Sequence, residues 1–91
     1  MPRARKADSR VAAIIDRIRD IPRGSVQAYS DIDPAAPRLV GRVLATTHED
    51  VPWHRVVRAD GSIPKGRRQS DLLLAEGVPM KGDRVDLSRR G

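Results

Sequence analysis

Val26-Gln27-Ala28-Tyr29-Ser30-Asp31-Ile32-Asp33-Pro34-Ala35-Ala36-Pro37-Arg38-Leu39-Val40-Gly41-Arg42-Val43-Leu44 is the stretch on which the fold turns. Val26 to Tyr29 is a short segment leading into a helical turn capped by Ser30 or Asp31 and carrying Ile32. Asp33 to Ala36 is a tight connection. Pro37 suits the first turn of a helix, where its missing N–H costs nothing. Arg38 to Thr46 or Thr47 then reads as that helix. Leu39, Val40, Val43 and Leu44 recur at helical spacing toward a core, with Arg38, Arg42 and Ala45 on another side. A short helix, a tight turn and a second helix with Arg near its start form a helix-turn-helix pattern. Gly41 costs this helix about 1 kcal/mol relative to Ala. Two explanations are open: tight packing on a neighbouring helix, or close approach of the backbone to a ligand.

Working outward, Asp8 or Ser9 can cap a helix reaching about Asp20. Val11, Ile14, Ile15 and Ile18 make its apolar face, while Arg10, Asp16, Arg17 and Arg19 fall on a solvated side. Residues 1–8 are basic and read as a disordered arm. Ile21-Pro22-Arg23-Gly24-Ser25-Val26 ends the helix. Downstream, Asp60-Gly61 signals a tight turn joining Val56-Val57 to Ser62-Ile63 in a hairpin, the wing of a winged helix-turn-helix. A last helix, started by Ser70 or Gln69, is expected from Asp71 to about Glu76, with Leu72, Leu73 and Leu74 inward and Gly77 ending it. The expectation is a single domain, mainly α with a small β-hairpin, over residues 9–80. Residues 81–91 form a polar tail in which Val85 and Leu87 could anchor.

The chain of 91 residues carries a net charge of +6, and it has one Trp, one Tyr and no Phe. One small, aliphatic core is what such a chain can build. The Arg-rich excess of positive charge favours phosphate contact. Absence of cysteine excludes disulfides, thiolate metal sites and thiol nucleophiles. No apolar run is long enough for a membrane span, and the basic N-terminus is not a secretory signal. The protein is expected to be cytoplasmic, with the nucleoid as its place in a prokaryote. Neither a cofactor nor a metal is expected, and a monomer is.

Val51-Pro52-Trp53-His54-Arg55-Val56-Val57 is the stretch richest in chemistry. His54 could serve as a general base or a hydrogen-bond hub, and Arg55 could bind phosphate or buttress a carboxylate. No nucleophile sits beside His54, and His48 lies on a different element, so metal catalysis is poorly supported. Trp53 and His54 also read as ordinary core residues.

The ordered set Ile21 to Val26, Tyr29, Arg38-Leu39-Val40-Gly41, Val51 to Val57, Asp60-Gly61 and Leu73-Leu74-Ala75-Glu76-Gly77-Val78 resembles the DNA-binding domain of O6-alkylguanine-DNA alkyltransferases. Those enzymes have Pro-Cys-His-Arg where this chain has Pro52-Trp53-His54-Arg55. Trp in place of Cys resembles the alkyltransferase-like proteins, which lack transferase activity. The resemblance covers roughly residues 10–80. It implies a non-enzymatic sensor that binds O6-alkylguanine in double-stranded DNA through the minor groove. The damaged nucleotide is flipped out and flagged for nucleotide excision repair proteins. Tyr29 matches the residue against the flipped nucleotide's phosphate, and Arg38 the one filling the vacated stack. Gly41 and Arg42 belong to the DNA-contacting helix. Trp53 would line the lesion pocket, with Val56 and Val57 offering backbone to the guanine edge. His54 and Glu76 match a relay left without its nucleophile, and Arg55 adjoins it. The chain is shorter than the family between Tyr29 and Arg38 and again after Gly61. The usual Tyr-Ser pair is missing, so the resemblance assigns no individual residue in 62–70. A shorter loop implies a more open pocket for larger adducts. Two other readings remain: a winged-helix regulator without lesion specificity, and an enzyme of another kind using His54 and Glu76.

Overall fold

The computed structural model describes residues 6–89. Helix α1 spans Lys6–Arg19. Of the arm expected over residues 1–8, residues 6–8 are instead helical, and residues 1–5 lie outside the described residues. Ile14 and Ile18 are buried, with Val11 and Ile15 packed beside them, as the apolar period requires. The arginines of α1 are not merely solvated. Arg10 donates through Nε and Nη2 to both carboxylate oxygens of Asp33, at 2.7 and 2.8 Å. Arg17, two turns along the same side, donates to the Ile32 carbonyl at 2.8 Å. Arg19 pairs with Glu49. Three arginines thus fasten α1 to the helix-turn-helix corner and to the loop beyond it.

A turn at Pro22 and Gly24 follows, with the Ser25 N–H donating to the Pro22 carbonyl at 3.1 Å. Strand β1 is Gln27–Ala28, α2 is Tyr29–Ile32 and α3 is Pro37–Thr46. Asp31 is not the residue before α2 but one inside its first turn. Its carboxylate accepts the Ala28 N–H at 3.0 Å, satisfying a donor the helix start leaves over. Helix α3 opens on Pro37, as expected, and buries Val40 and Val43.

The residues after α3 depart most from expectation. Trp53–Arg55 form a 3-10 turn, and Val56–Val57 form β2. Strand β2 pairs in parallel with β1, Gln27 opposite Val56 and Ala28 opposite Val57. The expected hairpin with Ser62-Ile63 does not form. Both valines are buried, Val56 in one cluster and Val57 in another, and a two-stranded hairpin cannot cover both faces. The Asp60-Gly61 turn itself is present, with the Gly61 N–H donating to the Arg58 carbonyl at 2.8 Å. Gly61 has φ of 87°, and a Cβ there would meet the Val85 carbonyl oxygen at 2.5 Å. Ser62 bridges to Arg84 instead of to β2.

The antiparallel hairpin lies further on: β3, Met80–Lys81, against β4, Arg84–Val85, with Met80 opposite Val85. The supposed polar tail is therefore structured. Val85 is buried with Val26, Val57, Leu73 and Val78, and Leu87 packs against them. Between β2 and β3, α4 spans Gly66–Ala75 and begins before the expected Asp71. Leu73 is fully buried, but Leu72 is 38% and Leu74 56% exposed. Successive helical residues are about 100° apart, so three in a row cannot share one face.

The molecule is mostly helical, with two short sheets and two core clusters. One cluster lies under α1, α2 and α3, the other between α4 and the β3–β4 hairpin. No helix among the described residues is long and apolar enough to cross a membrane.

Candidate nucleic-acid interface

Between these clusters runs a cleft of about 460 Å³, a size suited to a nucleobase with a substituent. Tyr29 at the start of α2, Gly41, Leu44 and Ala45 on α3, and Trp53 and Val56 on the central segment form one side. Pro64, Lys65, Arg68 and Gln69, from the short loop and first turns of α4, form the other. Four residues singled out in the sequence, Tyr29, Gly41, Trp53 and Val56, thus share one cavity wall. His54, Arg55, Val57 and Glu76 do not line it. Val57 is fully buried, and the other three sit behind the Trp53 turn.

Gly41 separates its two explanations. A Cβ built there meets nothing within 4 Å, so tight helix packing does not require glycine. The residue opens the cleft wall on α3. Arg38 and Arg42 are exposed on the same helix, and neither side chain has an ion-pair partner among the described residues.

Burial raises the Tyr29 hydroxyl above its ordinary pKa, with the Arg58 charge opposing. The phenol therefore stays protonated at neutral pH and can donate a hydrogen bond to an anionic oxygen. Trp53 presents its ring to the cleft. The Arg68 guanidinium lies 5.6 Å from the ring centroid, within cation–π range. On its other side Trp53 meets the His54 ring edge-on, centroids 5.9 Å apart at 82°.

Behind the indole, Glu76 gathers three segments. Its carboxylate lies 2.7 Å from His54 Nε2 and accepts from Arg55 Nη2 at 2.8 Å and Nε at 3.0 Å. It also accepts the Gly24 N–H at 3.2 Å. Arg55 donates its remaining Nη1 to the Ile21 carbonyl at 2.9 Å. Hydrogen bonds from Arg55, then His54 and Gly24, outweigh the desolvation that burial imposes and lower the Glu76 pKa from 4.5 to about 2. The knot therefore holds a permanent carboxylate and fixes the 3-10 turn that carries Trp53. Among the described residues no group of three or more His, Asp or Glu is placed to hold a metal ion.

Gln69, expected only as a possible start of the last helix, lies inside α4. It is completely buried. Its Nε2 donates to the His54 carbonyl at 3.0 Å and the Val56 carbonyl at 2.8 Å, and its Oε1 accepts the Lys65 N–H at 3.1 Å. One amide thereby ties α4 to the segment on either side of Arg55. No periodicity marks it; an amide one turn before the Leu72-Leu73-Leu74 run is the only sequence hint. Lys65 and Arg68 belong to the segment that the resemblance left unassigned.

A helix-turn-helix whose second helix, with exposed arginines, borders a base-sized cleft defines a nucleic-acid-binding module. Residues 10–78 match the family model described as 6-O-methylguanine DNA methyltransferase, DNA binding domain, and the chain belongs to that family. A DNA base-flipping protein of Escherichia coli is 40% identical over 96 aligned residues, spanning 92% of this chain and 74% of the relative. Alkyltransferase-like protein 1 of Schizosaccharomyces pombe is 34% identical over 86, spanning 80% of each chain. The crystal structure of S. pombe Atl1 in complex with damaged DNA containing O6-carboxymethylguanine superposes with a TM-score of 0.80 at 30% identity, covering 91% of this chain and 94% of that one. A second complex of the S. pombe protein with DNA gives 0.71 at 31% identity, over 86% of each chain.

Proposed function

We propose that this chain is a non-enzymatic sensor of O6-alkylguanine in duplex DNA. The observation that carries the reading is Trp53 in the wall of the cleft, at the family's cysteine position, in a chain with no cysteine at all. An indole is not a nucleophile for alkyl transfer at neutral pH. It offers a broad apolar face for a base and its substituent.

A base within a duplex must be rotated out before it can reach such a cleft, at a cost of a few kcal/mol. Helix α3 enters the minor groove, where Gly41 lets its backbone come close and Arg42 meets phosphate. Arg38 fills the vacated stack, its planar guanidinium facing the orphaned base. Tyr29 donates to the phosphate of the rotated nucleotide. The base rests on Trp53, and the Val56 backbone meets its edge. His54, Arg55 and Glu76 act from behind, holding the Trp53 turn. The short loop before α4 leaves the cleft open to adducts larger than methyl. The bound lesion is left intact and handed to nucleotide excision repair. The names of the base-flipping and alkyltransferase-like relatives, and the damaged DNA bound by one of them, support this reading.

The test is a titration with duplexes holding guanine or O6-methylguanine at one site, followed by Trp53 fluorescence. The expected result is tighter binding of the modified duplex and a loss of that preference in Arg38→Ala. Equal affinity for both duplexes points instead to a DNA-binding regulator without lesion specificity. Label moving from alkylated DNA to protein would refute the non-enzymatic reading.

A further inference from the structure

The α4 side of the cleft carries two cations, Lys65 and Arg68, and no residue lining the cleft is acidic. Neither side chain has an ion-pair partner among the described residues. The nearby carboxylates are engaged elsewhere. Glu76 is held by Arg55 and His54 behind the Trp53 turn, and Asp71 faces Arg67 at 3.9 Å. Arg68 already lies over the indole at 5.6 Å, so its guanidinium is positioned above the surface on which a base would rest. The rest of the wall is apolar apart from the Tyr29 hydroxyl and the fully engaged Gln69.

We infer that this cleft selects O6-adducts bearing an anionic group, such as carboxymethyl, over neutral adducts of the same size. The inference rests on the lesion-binding reading above and specifies its substrate class. Apolar contact with Trp53, Leu44 and Val56 does not distinguish a carboxylate from its amide. The two cations do. A guanidinium accepts a carboxylate through paired hydrogen bonds, and an uncompensated pair of positive charges attracts an anion wherever it sits between them. Both side chains are exposed, so screening keeps the gain near the upper end for surface ion pairs, about fivefold in affinity. Lys65 and Arg68 could instead meet DNA phosphate, in which case every duplex benefits equally.

Three duplexes decide between these: one with guanine, one with O6-carboxymethylguanine and one with O6-carbamoylmethylguanine, the neutral amide of the same shape. Dissociation constants are measured by anisotropy at one fixed salt concentration. The wild-type protein should bind the carboxymethyl duplex about fivefold more tightly than the carbamoylmethyl duplex. In Lys65→Gln/Arg68→Gln that ratio should collapse to about one. Equal affinity for the two adducts, both tighter than guanine, overturns the charge selection and leaves lesion binding standing. A wild-type ratio that survives the double substitution while all three duplexes weaken alike places the cations on phosphate and overturns it as well. No preference for either adduct over guanine removes the lesion-binding reading and this inference with it.

Discussion

Replacing Glu76 by Gln removes the charge at the centre of the knot while keeping its shape. Glu76 is 8% exposed and its partners His54 and Arg55 14% and 16%, so screening by water is weak. Lowering its pKa from 4.5 to about 2 corresponds to about 3 kcal/mol of preference for the carboxylate in the folded state. Removing one member of a buried pair costs about 3–5 kcal/mol, consistent with that figure. Glu76→Gln should therefore lower stability by about 3 kcal/mol at pH 7, and for a domain of this size Tm should fall by more than about 10 °C. The folded value lies below the unfolded one, so the unfolded chain binds the proton first. The stabilisation is complete above about pH 5.5 and fades as pH falls from about 5 toward 2. Urea unfolding of both proteins at pH 7 and pH 3, followed by Trp53 fluorescence and far-UV circular dichroism, measures the difference directly. The gap should shrink by about 2 kcal/mol at pH 3. A variant as stable as wild type at pH 7, or a gap that ignores pH, would refute the knot as a source of stability.

Two further substitutions probe the cleft. Gly41→Ala should raise Tm, since a Cβ there meets nothing within 4 Å and Ala favours a helix interior by about 1 kcal/mol. The same change should weaken duplex binding in an anisotropy titration; unchanged affinity would show that the α3 backbone does not approach DNA at Gly41. Gln69→Leu should cost about 1–3 kcal/mol in urea unfolding, because the His54 and Val56 carbonyls and the Lys65 N–H lose their buried partner. A neutral or stabilising Gln69→Leu would show that water or a backbone shift replaces the amide.

The helix-turn-helix was legible because its signals are local: Pro37 at a helix start, then apolar residues at helical spacing through Leu44. The sheet was not, because β1 and β2 are two residues each and pair across the interval from Ala28 to Val56. No short-range pattern marks a parallel pairing of that kind. Asp60-Gly61 was read correctly as a turn and wrongly as a hairpin, since turn chemistry fixes the bend but not the partner strand. Val85 looked like a weak anchor in a polar tail because its neighbours are charged, yet it closes the second cluster beside Leu73. In the cleft, the only aromatics, Trp53 and Tyr29, drew notice by rarity. Glu76 emerged only through resemblance, for its partners Gly24, His54 and Arg55 lie far away in sequence. Gln69 read only as a possible helix start, and its buried bridging role was not legible because a polar side chain usually signals solvent.

The cleft lies on the seam between two hydrophobic clusters, joined there by the β1–β2 ladder, the Gln69 amide and the Glu76 knot. Local opening along this seam would have to break those ties. A nucleobase seated between Tyr29 and Val56 on one side and α4 on the other touches both lobes at once. Amide hydrogen exchange would then slow together in α3 and α4 on binding. Occupancy would add one more tie between the two lobes to those the protein already makes.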